Sequence, residues 1–223
     1  ILRLQPKVLG QKHSVINKIR YKKYWRKTSL KQKGIGDFFL NHVFQKKPKN
    51  FLEIGVFHGV TSRNICELLN NIHGKDFNFT GIDLFSIENE KIKGEFIPKT
   101  KFTNPLKTIY YNYIIQSDPY SIQSVERLLK KYKNNINIIK GNSNKVLKEI
   151  SINNFDYVFL DGGHKYETVL SDLKNLTKVV ENNGVILCDD YDLTYAPGVK
   201  KAIDEYVLLN NFKLKILNSR FAE

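Results

Sequence analysis

Along residues 51–217 the apolar positions change period repeatedly, from short continuous runs to helical spacing and back. Apolar-rich runs lie at about 51–55, at 79–84, at Ile136–Lys140, at Phe155–Leu160, at 185–188 after an Asn183-Gly184 turn, and at 212–217. Each has strand length, and the nearly unbroken Phe155–Leu160 run suits a strand buried on both faces. Between the runs, apolar residues recur at helical intervals. One helix is predicted at about 61–71 and another at about 119–132, with Asp118 as N-cap, Pro119 in the first turn, and Ile122, Val125, Leu128, Leu129 and Tyr132 on one face. Ser143 is placed to cap a short helix carrying Val146, Leu147 and Ile150. A longer helix carries Tyr166, Val169, Leu170, Leu173 and Leu176, and a last one covers about 198–209. Strand and helix in alternation predict a doubly wound, mostly parallel α/β sheet with helices on both faces.

Two segments fall outside this rhythm. Residues 85–117 separate the second strand from its helix, where about two to six residues are ordinary. They are rich in aromatics (Phe85, Phe96, Phe102, Tyr110, Tyr111, Tyr113), and Asn104-Pro105 opens a helix through Gln116, so a substrate lid is expected there. Residues 1–50 are expected to form a basic helical segment, two helices split near residues 34–36, preceding a domain at 51–223. They hold 14 Lys and Arg against one acid, Asp37, and so carry +13 of the net charge of +14. The remaining chain is nearly neutral.

With 223 residues the chain is long enough for one domain with a full core. Cys66 and Cys188 are its only cysteines, and Cys188 lies in an apolar run, so neither a disulfide framework nor a zinc site is indicated. No apolar run reaches the length of about 18 residues that a spanning helix needs, and a cytoplasmic protein is expected. The chain starts at Ile1 and contains no Met, so a longer translated product is expected.

The richest chemistry begins at residue 51, where Phe-Leu-Glu53-Ile-Gly55-Val-Phe-His-Gly59-Val-Thr61 reads as a buried strand, a glycine turn and a helix start. Glycines there let a ligand lie against bare backbone, and unpaired helix N–H groups attract its polar atoms. The spacing is not the dinucleotide G-x-G-x-x-G. A second acid, Asp83, ends the next strand. Two further strands end in Asp161-Gly-Gly-His164 and in Asp189-Asp190. Ligands in such sheets sit outside the carboxyl ends of the strands. Two carboxylates about 4 Å apart repel by roughly 4 kcal/mol at an effective dielectric of 20, so three acids call for a cation, Mg²⁺ by default. The alternative is that Asp190 caps a turn while Lys165 or Lys200 supplies the counter-charge.

The acid-x-Gly-x-x-x-Gly turn followed by Asp83 resembles class I S-adenosylmethionine-dependent methyltransferases, whose fold is Rossmann-like. The Asp161-Gly-Gly-His164 run, the acidic pair and the 198–204 stretch resemble the metal-dependent, macrocin-type O-methyltransferases, which methylate sugar hydroxyls. The resemblance covers about residues 50–210. It implies that Glu53, Gly55, Gly59 and the helix-start Thr61 surround the methionine end of S-adenosyl-L-methionine. Asp83 would hold the ribose, with Asn142 and Ser143 beside the adenine. Asp161, Asp189 and Asp190 would bind a divalent cation, Asp161 also bordering the cofactor, and His164 would act as general base. His58 is read as a capping or ligand-lining residue. The expected partner is a hydroxyl-bearing small molecule, a sugar or an anionic glycan. A nucleic-acid (RNA) methyltransferase is the alternative, because Lys18, Arg20, Lys22, Lys23, Arg26 and Lys27 interleave with Tyr21, Tyr24 and Trp25. The basic segment also suits a membrane surface or an oligomerisation arm, so a homo-oligomer is a further expectation.

Overall fold

The computed structural model describes residues 20–85, 102–150 and 155–223. Five strands, β1 (Asn50–Ile54), β2 (Asn78–Asp83), β3 (Ile136–Lys140), β4 (Phe155–Leu160) and β5 (Val180–Cys188), form one parallel sheet in the order β3-β2-β1-β4-β5. The chain winds outward from β1 to β3, then returns to the other side of β1 for β4 and β5. The reversal opens a crevice at the carboxyl ends of β1 and β4, the usual ligand position in doubly wound sheets.

Strand parity decides what faces which layer. Phe51, Phe79, Tyr157, Phe159 and Leu187 point to one side, where they pack with residues of α1 (Ile35–Lys46), α2 (Val60–His73) and α4 (Ile122–Leu129). Leu52, Ile54, Ile82, Val158, Leu160 and Cys188 point to the other, with residues of α5 (Ser143–Glu149), α6 (Tyr166–Val179) and α7 (Pro197–Asn210). Each such side chain, fully buried, contributes about 1.5–3 kcal/mol. Glu53 shares the parity of Phe51, and so a carboxyl is carried into an apolar layer. Both cysteines are buried and unbonded.

Several boundaries differ from expectation, for local reasons. The helix expected at about 119–132 starts at Ile122, because Ser121 accepts the Ser124 N–H and takes the N-cap. Asp118 instead accepts the Tyr120 N–H at 2.8 Å in a tight turn. α5 is capped by Asn142, not Ser143. β5 begins at Val180, so Asn183-Gly184 lies within a strand, with a register shift against Phe155 and Tyr157. No strand forms over 212–217; only Ile216 bridges, antiparallel to Ala222, which bridges in turn to Cys188. Ala222 thus occupies the antiparallel position beside β5, while Phe212 and Ile216 stay exposed.

In the expected lid, Asn104 accepts the Leu106 N–H and starts α3 (Pro105–Ile109), which continues as a wide π-turn over Tyr110–Ile115 and stops at Gln116. Phe96 lies outside the described residues. Of the two N-terminal helices expected, α1 begins after Gly34, whose φ of 82° is the left-handed break. Residues 20–28 are not helical, Ser29–Lys31 is a single 3₁₀ turn, and residues 1–19 lie outside the described part. No helix among the described residues is long and apolar enough to cross a membrane.

Candidate active site

The first half of the site forms where β1 turns into α2. Gly55 has φ of 96° and Gly59 of 71°, both in the left-handed region. A Cβ at Gly55 would lie 1.8 Å from the Asp161 carbonyl oxygen, so this glycine lets the tips of β1 and β4 touch. Glu53 is wholly buried; the Ser62 hydroxyl donates to its Oε2, while Oε1 has no hydrogen-bond partner. Burial, aided by the charge of Asp83, pushes the Glu53 carboxyl up to about 8 against the Ser62 hydrogen bond. Asp83 accepts the Phe57 N–H at 2.7 Å, the Phe85 N–H at 3.1 Å and the Tyr120 hydroxyl at 2.7 Å. At the adenine position expected from the sequence, Asn142 caps α5 and the Ser143 hydroxyl donates to Asp172 at 2.6 Å.

The basic aromatic run lies across this turn as a strap. The Tyr21 hydroxyl hydrogen-bonds Thr28 and Thr61, each at 2.7 Å. Arg26 donates to the carbonyls of His58 at 3.0 Å, Pro119 at 3.3 Å and Ser124 at 2.9 Å, and to the Ser124 hydroxyl at 3.0 Å. The Lys27 N–H donates to His58 Nδ1 at 3.2 Å, which makes His58 a capping residue as expected. Burial, then the charges of Arg26, Lys27 and Lys107, drive the His58 imidazole down to about 3, so it stays neutral. Trp25 meets the Tyr110 ring edge-on at 5.2 Å. Beyond the strap, Phe102 and Tyr111 stack at 4.8 Å with Lys27 Nζ 5.7 Å from the Phe102 centroid. These two rings line an open cleft with Thr108, Asn112, Gln116 and Pro119.

The second half lies at the tips of β4 and β5. Asp161, His164 and Asp190 each present a ligand atom, all within 4.8 Å of one another. His164 Nε2 is 3.0 Å from Asp190 Oδ2, and the Tyr195 hydroxyl donates to Asp190 Oδ1 at 2.6 Å while its ring sits edge-on to His164 at 5.7 Å. The Ser29 hydroxyl reaches Asp161 Oδ2 at 3.2 Å. Asp189 does not join this group. Its carboxylate is gripped by Arg220, from Nε to Oδ1 at 2.6 Å and from Nη2 to Oδ2 at 2.5 Å.

The acids differ sharply in proton affinity. Burial and then the charges of Asp189 and Asp190 push Asp161 well above the usual carboxylate range. Burial lifts Asp189 to about 6 even against Arg220. Burial raises Asp190 too, but hydrogen bonds from His164 and Tyr195 and the charge of Arg220 more than reverse it, leaving Asp190 below its ordinary value. A small cavity of about 10 Å³ lies among Asp161, Gly162, His164, Asp189 and Asp190, the size of one water or ion.

Sequence reasoning missed Ser29, Tyr195 and Arg220. The interleaved strap, Arg26 included, is visible as a pattern for which nucleic acid is one alternative partner; in the fold Tyr21 and Arg26 turn inward. Arg220 gave no local signal, since it reaches Asp189 only after the chain has doubled back through residues 216–222.

Comparison with known proteins agrees with the fold. A family described as “Methyltransferase domain” matches residues 52–191, and the chain belongs to it. The fold is that of class I methyltransferases, which use S-adenosylmethionine. The chain is 26% identical over 181 residues to “Uncharacterized protein R132” of Acanthamoeba polyphaga mimivirus, and that match spans 75% of this chain and 63% of the viral protein. Among solved structures, the O-methyltransferase NovP is similar with a TM-score of 0.63 at 20% identity, over 92% of this chain and 86% of NovP. The calicheamicin methyltransferase CalS11 has a TM-score of 0.61 at 12% identity, over 99% and 93% of the two chains. Other similar folds were solved with S-adenosylmethionine or its demethylated product bound.

Proposed function

We propose that this protein is an S-adenosylmethionine-dependent O-methyltransferase acting on a hydroxyl of a sugar or another small molecule, with a divalent cation assisting. The observation that carries the reading is the Gly55–Asp161 contact, which sets a cofactor-type turn directly against an acid and histidine cluster. S-adenosylmethionine supplies a sulfonium methyl already activated for transfer. The residues fit it: beside the glycine turn, Glu53 carries a buried oxygen without a hydrogen-bond partner. Glu53, Gly55, Gly59 and Thr61 would border the methionine end, and Asn142 and Ser143 the adenine. Asp83 would take the ribose hydroxyls, with the Tyr120 hydroxyl sharing its carboxylate.

The donor set also fits a hard cation, because carboxylate oxygens converge beside a cavity of ionic size. Asp161 and Asp190 would hold it, and its charge would stabilise an oxygen losing its proton. His164 would do the proton work: with its Nε2–H donated to Asp190, Nδ1 would be the atom that takes the proton of the acceptor hydroxyl. The Phe102–Tyr111 pair and Lys27 suit a sugar ring bearing negative charge. CalS11, described as a TDP-rhamnose 3'-O-methyltransferase, supports a sugar acceptor by analogy of fold.

The test is calorimetry with S-adenosylhomocysteine alongside methyl transfer to a panel of sugars. Excess chelator should stop transfer while leaving product binding intact, and Mg²⁺ should restore it. His164→Ala should lower turnover by roughly 10²–10⁴-fold. Undiminished transfer in chelator would remove the cation from the reaction, and near-normal turnover of the variant would demote His164 to a loop support.

A further inference from the structure

We infer that Arg220 is a built-in counter-cation that reserves Asp189, so that an exchangeable divalent ion is held by Asp161 and Asp190 rather than by all three acids. This rests on the metal-assisted reading above and departs from the ligand set that the sequence resemblance implies. Arg220 and Asp189 meet fork to fork, with Nε on one carboxylate oxygen and Nη2 on the other, the strongest geometry such a pair adopts. Asp189 Oδ1 also accepts the Asp190 N–H at 2.9 Å, and the Asp189 side chain is 0% exposed. Both of its oxygens are engaged by Arg220.

The other two acids face the cavity without an arginine fork. Asp161 accepts one long hydrogen bond from Ser29 at 3.2 Å, while Asp190 accepts the Tyr195 hydroxyl at 2.6 Å and lies 3.0 Å from His164 Nε2, with Arg220 no nearer than 3.4 Å. Arg220 itself is positioned by backbone. Its carbonyl accepts the Tyr191 N–H at 2.9 Å, its N–H donates to Asn218 Oδ1 at 2.8 Å, and Ala222 exchanges hydrogen bonds with Cys188. The arginine is therefore locked to the same strand tip as the acids it serves. Charge closes the case: three carboxylates against one guanidinium leave two negative charges, which one divalent ion neutralises. Without Arg220 a third would remain.

Arg220 is thus a positioning residue, and its effect is read in metal affinity. Mn²⁺ binding followed by electron paramagnetic resonance, in the presence of S-adenosylhomocysteine, tests it. Asp189→Asn should change Mn²⁺ affinity by less than about threefold, whereas Asp190→Asn and Asp161→Asn should each weaken it by about 30-fold or more. Arg220→Gln should tighten Mn²⁺ by about tenfold, because Asp189 is released to join the site; an arginine serving structure alone would weaken it. Equal losses for Asp189→Asn and Asp190→Asn, or weaker binding in Arg220→Gln, overturn the inference. Should Arg220→Gln fail to fold, the comparison of the two asparagine variants still decides. A wild type that binds S-adenosylhomocysteine but no Mn²⁺ overturns this inference and spares the methyl-transfer reading; one that binds neither overturns both.

Discussion

At the tips of β1 and β2 polar groups are placed by backbone shape, whereas at the tips of β4 and β5 they are placed by charge. The first region uses positive-φ glycines, N–H donors and hydroxyls, and its one deeply buried acid, Glu53, answers to Ser62 alone. The second concentrates three acids, an arginine and a histidine. The contrast would match the tasks of the proposed reaction. A sulfonium cofactor would have to be seated and aligned, which shape can do. An acceptor hydroxyl would have to lose a proton, which needs ionisable groups and a field. The two halves meet most tightly where Gly55 lies against the Asp161 carbonyl.

The largest effect should come from breaking that point of contact. Gly55→Ala places a Cβ within 1.8 Å of the Asp161 carbonyl and asks an L-residue to hold a φ of 96°. Strain and forced displacement together should cost about 2–5 kcal/mol of stability. Both halves should suffer, so affinity for S-adenosylhomocysteine and for Mn²⁺ should fall together. If calorimetry shows only the first to fall, the two regions are less tightly joined than this contact implies.

A smaller change should separate them. Asp83→Ala removes the acceptor shared by Phe57, Phe85 and Tyr120, leaving two backbone donors and a hydroxyl without their partner. Cofactor-product binding should weaken by about 1–3 kcal/mol, with Mn²⁺ affinity unchanged. Unaltered binding of S-adenosylhomocysteine would take Asp83 out of the site.

The same divide governs what was legible in sequence. The parallel strands and their helices followed from periodicity, because burial on two faces enforces parity and every slip would expose a row of phenylalanines. Glu53, Gly55 and Gly59 were legible because local backbone shape needs local residues. The acids were visible as strand-end residues, yet their division of labour was not. Whether Asp189 faces a cation or an arginine depends on a residue 31 positions later, brought back by an antiparallel bridge with no strand pattern of its own. The inward contacts of the strap were hidden for a related reason. Its aromatic and basic spacing suits solvent and a polymer as well as it suits Thr61 and the carbonyl of His58, and only the tertiary fold chooses between them.

The smallest effect, per pH unit, concerns Glu53 and would sharpen the contrast between a half built on shape and one built on charge. In the folded protein its carboxyl sits at about 8, against an ordinary value of 4.5, because burial penalises its charge. Between those values the folded state keeps a proton that the unfolded chain has released. This contribution to stability is therefore complete below about pH 4.5 and drains away as pH rises toward 8, at about 1.4 kcal/mol per pH unit for one full proton. Glu53→Gln keeps a neutral group of the same shape and should remove that slope. Asp161 and Asp189 are also raised by burial and would still titrate in the variant, so the difference between the two proteins isolates Glu53. Urea unfolding of both, without metal or cofactor, across about pH 5–8 should give curves that converge at the acid end and diverge upward, with the variant more stable at the alkaline end. Parallel curves would mean that burial does not keep Glu53 protonated in the fold, and that the first half of the site carries charge as well.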